Sequence, residues 1–283
     1  MVFRSVKSGM RTLQFYITLM LMSLAFCSVN SLSAQGSSPT PSPNEIFKNA
    51  FSAFQQGNYD LAIKNYNLAI TADPTRNYFY YNRALTYKAM GNVPKAMDDL
   101  TTSLSYKQTA EAYYQIGLIK YEKNDLEGAK VEFENAKLIK NDIERMNFFL
   151  GMIYFRNNRY DEAIKCFYDY TSVVKNYADA YYYRGLAEAK LGSYQDAITS
   201  FKFAQMYKNS DWKLYYKMYE IYLAMNDKEN ALYSLSMVIE LGEKKPEHYE
   251  ERARLFLDNN NTFKYEEDIR IAKELRASVA SAK

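Results

Sequence analysis

The chain has 283 residues, 48% hydrophobic and 24% charged, with 36 Lys and Arg against 33 Asp and Glu, one His, two Cys and 28 Tyr. That composition belongs to a folded chain with a sizeable core and excludes a disordered one. A single His argues against His-dependent catalysis. The formal charge of +3 offers no basic footprint for a nucleic acid: residues 1–34 hold Arg4, Lys7 and Arg11 and no acid, and without them 33 bases face 33 acids.

The first predicted element is an export signal. Those three bases precede an apolar run, Phe15 to Cys27, which is followed by the small and polar SVNSLSAQG. A basic start, an apolar middle and a small-residue exit is the layout of a secretory signal peptide over residues 1–34, cut near Ala34 or after Ser33. The alternative is a retained membrane anchor, because Thr12 to Val29 gives 18 residues, near the short end of the roughly 17–25 that span a bilayer. A lipid-bearing Cys27 fits less well, since Phe26 stands where bacterial lipoprotein signals carry a small residue. All three readings place the remainder in an exported setting, periplasmic or extracellular, with membrane association if the segment is kept. Residues 35–43, QGSSPTPSP, read as a flexible linker. Past the signal only Cys166 remains, so no internal disulfide is expected.

From residue 44 to about 275 the chain is one unit copied about seven times. Ala62, Ala96, Ala129, Ala163, Ala197 and Ala231 recur at intervals of 33 or 34 residues. A second register, Ala50, Ala84, Gly117, Gly151, Gly185 and then Tyr219, keeps the same spacing, and a large apolar residue stands four positions after each Ala: Tyr66, Leu100, Phe133, Phe167, Phe201 and Leu235. Within a unit the apolar residues recur at three and four, the period of a helix, on either side of a polar break. Two helices of about a dozen residues therefore fill each copy. Gly57, Gly91, Asn124, Asn158, Gly192 and Asn226 fall at the turn, where Gly and Asn accept a left-handed conformation. The copies run 43–76, 77–109, 110–143, 144–177, 178–211 and 212–245. A divergent seventh begins at Pro246, aligned either by Ala253 and Ala272 or by extra residues near Asn259 to Asn261 that let Tyr265 take the place of Tyr59, Tyr160 and Tyr194. Residues 276–283 form a tail that extends the last helix or frays. Tyr219 breaks the small-residue rule, which implies looser packing or a ring turned partly to solvent.

These residues resemble the tetratricopeptide repeat family, whose pattern of aromatic, Leu, Gly, Tyr, then Ala, then Phe, then Pro is matched by Leu150, Gly151, Tyr154, Ala163 and Phe167, with Asn147 in place of the aromatic opening, again by Tyr181, Gly185, Ala197 and Phe201, and in its later half by Ala62, Tyr66 and Pro74. The resemblance implies an all-α fold, a right-handed superhelical solenoid of stacked helix-turn-helix repeats, in which neighbours share a core that no single hairpin can bury alone. It also implies a concave groove lined by the first helix of each pair. By that resemblance the groove residues are Phe47, Tyr81, Tyr114, Phe148, Tyr182 and Tyr216, with Phe51, Leu85, Leu118, Met152 and Leu186 one helical turn further on. The ladder has a packing role as its plain reading and a partner's peptide or protein segment as its functional one. Lys88, Glu122, Arg156, Lys190 and Lys213 lie near the same face. Phe47 and Phe51 occupy the places where chaperone-gripping relatives carry Lys and Asn, which argues against a carboxylate-clamp co-chaperone.

No nucleotide-binding, nucleophile-elbow or zinc-protease motif occurs. His248, at the polar start of the last copy, reads as a surface residue, and Asp98 with Asp99, or Glu266 with Glu267, point apart on their helices. The expected function is a non-enzymatic interaction scaffold without metal or cofactor, binding protein segments in envelope assembly or secretion. The alternative is a structural, oligomerising component of a membrane complex that uses its outer surfaces.

Overall fold

The computed structural model describes residues 41–140, 145–207, 211–242 and 244–281. The export signal and the first part of the linker lie outside the described residues. Among those described there are fourteen α-helices and no strand, the all-α helix-turn-helix array expected from the repeats. The chain forms two compact units, one ending at Tyr106 and the other beginning at Lys107. The first holds α1 (Pro43–Gln55), α2 (Tyr59–Ala72), α3 (Asn77–Ala89) and α4 (Val93–Tyr106). The second holds α5 (Ala110–Glu122), α6 (Leu126–Ile139), α7 (Met146–Arg156), α8 (Tyr160–Val173), α9 (Ala178–Lys190), α10 (Tyr194–Tyr207), α11 (Trp212–Ala224), α12 (Lys228–Leu241), α13 (Pro246–Asp258) and α14 (Thr262–Ser281). Within each unit every helix packs on its hairpin partner and on the helix that follows it. First helices also meet across a repeat, as α7 with α9 and α9 with α11.

Each hairpin turn is built by two adjacent residues. Gly57, Gly91, Asn124, Asn158, Gly192, Asn226 and Asn260 all have φ between 57° and 77°, the left-handed conformation that ends a helix. The N–H of the following residue then closes the Schellman bond to the helix it leaves, for example Asn58 to the Ala53 carbonyl at 2.9 Å and Asn261 to Phe256 at 2.8 Å. The same following residue caps the next helix wherever it is Asn or Asp: Asn58, Asn92, Asp125, Asp227 and Asn261 each accept from an N–H three residues on. One dipeptide therefore both stops a helix and starts its successor.

The seventh turn falls 34 residues after the sixth, as the sixth does after the fifth, which decides the alignment left open above. Ala253 is fully buried in the place of the other small residues, and Ala272 is buried in the place of Ala69, Ala136 and Ala204. No extra residues intervene. Tyr265 instead stands where the other copies bury their invariant Ala, and is half-buried.

The small residues are set by the helix opposite. A Cβ added to Gly117, Gly151 or Gly185 would lie 2.6, 2.7 or 2.8 Å from the ring of Phe133, Phe167 or Phe201, closer than atoms pack. Tyr219 is a correction to the sequence reading. It is buried, neither loosely packed nor turned outward, and burial holds its phenol well above the ordinary tyrosine range. The physical reason is an exchange of volume: the sixth repeat has Leu235 where the third to fifth have Phe133, Phe167 and Phe201, so the ring that those repeats contribute from the second helix comes here from the first. His248 is a second correction. It is buried against Tyr216, 5.6 Å between ring centroids, and Trp212, 6.3 Å away, rather than lying at the surface.

Three repeats carry a further pin between their two helices. Arg83 donates to both carboxylate oxygens of Asp99, and Arg252 likewise to Asp268. Arg184 meets Ser200 and Glu188 in the equivalent place. Each guanidinium also lies over a tyrosine three residues earlier, Tyr80, Tyr181 or Tyr249.

Candidate functional site

The predicted ladder sits on the first helices, and each unit presents its own part. In the first unit Phe47 packs on Tyr66, Tyr78 and Phe79 at centroid distances of 5.8, 4.9 and 5.4 Å. Phe51 is exposed beside it, while Tyr81 and Leu85 are half-buried. In the second unit Tyr114 rests on Phe133 at 5.7 Å and Tyr182 on Phe201 at 5.8 Å. Leu118, Leu186 and Tyr216 are half-buried. Phe148 and Met152 behave differently: at 7% and 8% exposure they belong to the core, with Phe148 on Phe167 and under Tyr177. They form floor rather than surface.

The repeated contact explains the residue type. Phe47, Tyr114, Phe148 and Tyr182 each place a ring on the large aromatic side chain of their own second helix, so the ladder is part of the packing that closes each hairpin. What remains open is its edge. Burial pushes the Tyr182 and Tyr216 phenols above the ordinary tyrosine range, so both remain neutral hydrogen-bonding groups to higher pH than an exposed tyrosine.

Two of the cavities on the second unit adjoin its first helices. One, of about 350 Å³, is lined by Asp179, Tyr182, Tyr183, Asp211 and Lys213. The other, of about 400 Å³, is mostly apolar and lies among α7, α9, α10 and α11, with Leu186, Ala189, Lys190, Tyr194 and Ala224 in its wall. Of these only Leu186 belongs to the predicted ladder. Ala189 and Ala224 are inconspicuous in the sequence because they act by being small. The usable signal is the change of size at one place, which holds Phe54, Lys88, Tyr121 and Phe155 in the first four repeats and Ala189 in the fifth.

The charged residues named from the sequence are dispersed. Arg156 lies over Tyr121 at 5.2 Å and Lys213 over Trp212 at 5.9 Å. Lys217 pairs with Glu220 at 2.7 Å. Among the described residues no group of three or more His, Cys, Asp or Glu side chains is placed to hold a metal, and no helix is long and apolar enough to cross a membrane.

Three stretches of the chain match tetratricopeptide repeat sequence profiles: residues 52–91, 110–143 and 150–208. Among curated relatives, the chain is 25% identical to DnaJ homolog subfamily C member 3 of Gallus gallus over 60% of this chain and 37% of that protein. It is 24% identical to the TPR repeat-containing protein YpiA of Bacillus subtilis over 71% of this chain and 48% of the other. The chain thus spans less than half the length of these relatives. Two solved structures share the fold. The C-terminal part of a TPR repeat-containing protein from Cytophaga hutchinsonii superposes with a TM-score of 0.62 at 20% identity, covering 80% of this chain and 93% of that one. YrrB, described as a TPR protein with an unusual peptide-binding site, superposes with a TM-score of 0.59 at 20% identity, covering 62% and 91%. With seven hairpins in one register, matching profiles and matching structures, the chain belongs to the tetratricopeptide repeat family.

Proposed function

We propose that this protein is an exported interaction scaffold that holds a segment of another protein along the face made by its first helices. Tetratricopeptide repeat proteins are in general protein–protein interaction scaffolds, and the family and fold are typically non-enzymatic. The observation that carries the reading is the edge of the aromatic ladder in the second unit, where Tyr114, Leu118, Tyr182, Leu186 and Tyr216 are half-buried and Leu186 lines an apolar cavity. Side chains already anchored by packing supply contact area at little entropic cost, because their rotamers are fixed before a partner arrives. That YrrB has a peptide-binding site on the same fold supports the reading. The basic and apolar start of the chain supports an export route, retained or cleaved, and with it a task in envelope assembly or secretion.

The test is a selection of random peptides displayed on phage against the full chain, followed by anisotropy measurements on the peptides recovered. Leu118→Glu with Tyr216→Glu should weaken those peptides by about tenfold or more while leaving the far-ultraviolet circular dichroism unchanged. Unaltered affinity in a folded double variant removes the groove from consideration.

A second reading has its own observation. Leu138 and Val173, at the ends of α6 and α8, are 86% and 82% exposed. Apolar side chains held in water to that extent favour an outer surface used for assembly. Sedimentation of the native chain and of Leu138→Asp with Val173→Asp checks it: an oligomer that the substitutions dissociate supports assembly through this edge.

A further inference from the structure

The apolar cavity in the second unit has the form of a missing ring. In the first repeat Phe54 packs on Tyr59, the opening residue of α2, at 5.8 Å between centroids; in the fourth, Phe155 packs on Tyr160 in the same way at 5.6 Å. The fifth repeat keeps the tyrosine, Tyr194, but has Ala189 where those two repeats have the phenylalanine. Tyr194 is left 36% exposed and lines the cavity. The adjoining layer adds to the space, because Ala224 stands where the preceding repeats carry Arg156 and Lys190. Leu186, Phe201 and Ile221 complete an apolar floor.

The rim is charged and unequal. Lys217 and Glu220 neutralise one another at 2.7 Å. Lys190, exposed at the mouth, has no ion-pair partner among the described residues. A ring buried against Tyr194 therefore enters beside one uncompensated positive charge. We infer that this cavity receives an aromatic side chain of the bound polypeptide, with a carboxylate next to it in the ligand meeting Lys190. This rests on the groove reading above and specifies its partner as a segment in which Phe, Tyr or Trp neighbours Asp or Glu. An aliphatic side chain lacks the flat face that Phe54 and Phe155 present to their tyrosines, and a basic neighbour would face Lys190 with like charge.

The experiment uses the full chain and three fluorescein-labelled, end-capped peptides on one polar background: a single Phe between two Glu, an Ala in its place, and the Phe between two Lys. The Phe–Glu peptide should bind about tenfold tighter than either of the others. Ala189→Phe gives Tyr194 the ring its counterparts already have, so it should raise the melting temperature and lower affinity for the Phe–Glu peptide about tenfold. Lys190→Glu should reverse the preference between the Glu and Lys peptides. Should Ala189→Phe fail to fold, Ala224→Leu fills the other side of the same space and makes the same prediction. Equal binding of the three peptides, binding of none, or a stabilised Ala189→Phe chain with unchanged affinity overturns the pocket. The groove itself is judged apart from this: phage-selected peptides that respond to Leu118→Glu with Tyr216→Glu but not to Ala189→Phe leave the groove standing and the pocket refuted.

Discussion

Single positions in this protein fail for different physical reasons, and substitutions separate them. At Gly151 the constraint is space. A Cβ there would lie 2.7 Å from the Phe167 ring, so Gly151→Ala should cost about 1–3 kcal/mol in denaturant unfolding, the usual range for overpacking. At Gly57 nothing stands within 4 Å of an added Cβ, but φ is +76°. Gly57→Ala should also destabilise, by roughly 1–2 kcal/mol, through backbone strain alone. Cys166 illustrates a third constraint. Burial pushes its thiol up to about 11 from an ordinary value of 9.0. The folded state thus favours the neutral thiol, so this group leaves stability unaffected below pH 9 and subtracts from it as the pH rises from there toward 11. At pH 8 a disulfide reagent such as Ellman's should react slowly with Cys166 in the native chain and rapidly once the chain is unfolded. Prompt stoichiometric labelling of the native protein would contradict this burial.

At the scale of the helical hairpin, Asp268 is 2% exposed and accepts from Nε and Nη2 of Arg252. Asp268→Ala should cost roughly 3 kcal/mol, because it strands a largely buried guanidinium, whereas Glu274→Ala, which breaks an exposed pair with Arg270 on α14, should cost less than about 1 kcal/mol. Comparing the two unfolding midpoints checks the contrast. The sequence did not announce these pins, since only three repeats carry the Arg and only two answer it with Asp. It announced the hairpins themselves very clearly, because Ala62 and its successors repeat without exception through six copies. Tyr219 was misread for an instructive reason: a single column of residues shows the volume at one helix, while the space is shared with Leu235 on the other. His248 was misread because the polar stretch PEHYEE says nothing about Trp212 and Tyr216, which come from the preceding repeat to cover it.

For the whole molecule, a stack of hairpins gives stability that is a sum over neighbours rather than a property of one core. Gly151→Ala should accordingly raise hydrogen exchange most in α7 and α8, less in α9, and least in α13 and α14. Uniform acceleration across the second unit would mean that it opens as one body. The ladder of groove residues was legible in outline because its spacing follows the repeat. Its division into surface and floor was not, since the burial of Phe148 and Met152 depends on Tyr177 and Tyr183, supplied by a later stretch of chain. The cavity at Ala189 was hidden for the opposite reason, being defined by what is missing from a series. One placement has a practical consequence for every such measurement. The chain has a single tryptophan, Trp212, lodged where any side chain at Gly242 would strike its indole and with the ammonium groups of Lys213 and Lys245 each 5.9 Å from the ring. Intrinsic indole emission therefore watches the joint between the sixth and seventh layers and is blind to the other end of the chain, so a melt followed by that signal alone times the opening of one joint and not the unfolding of the protein.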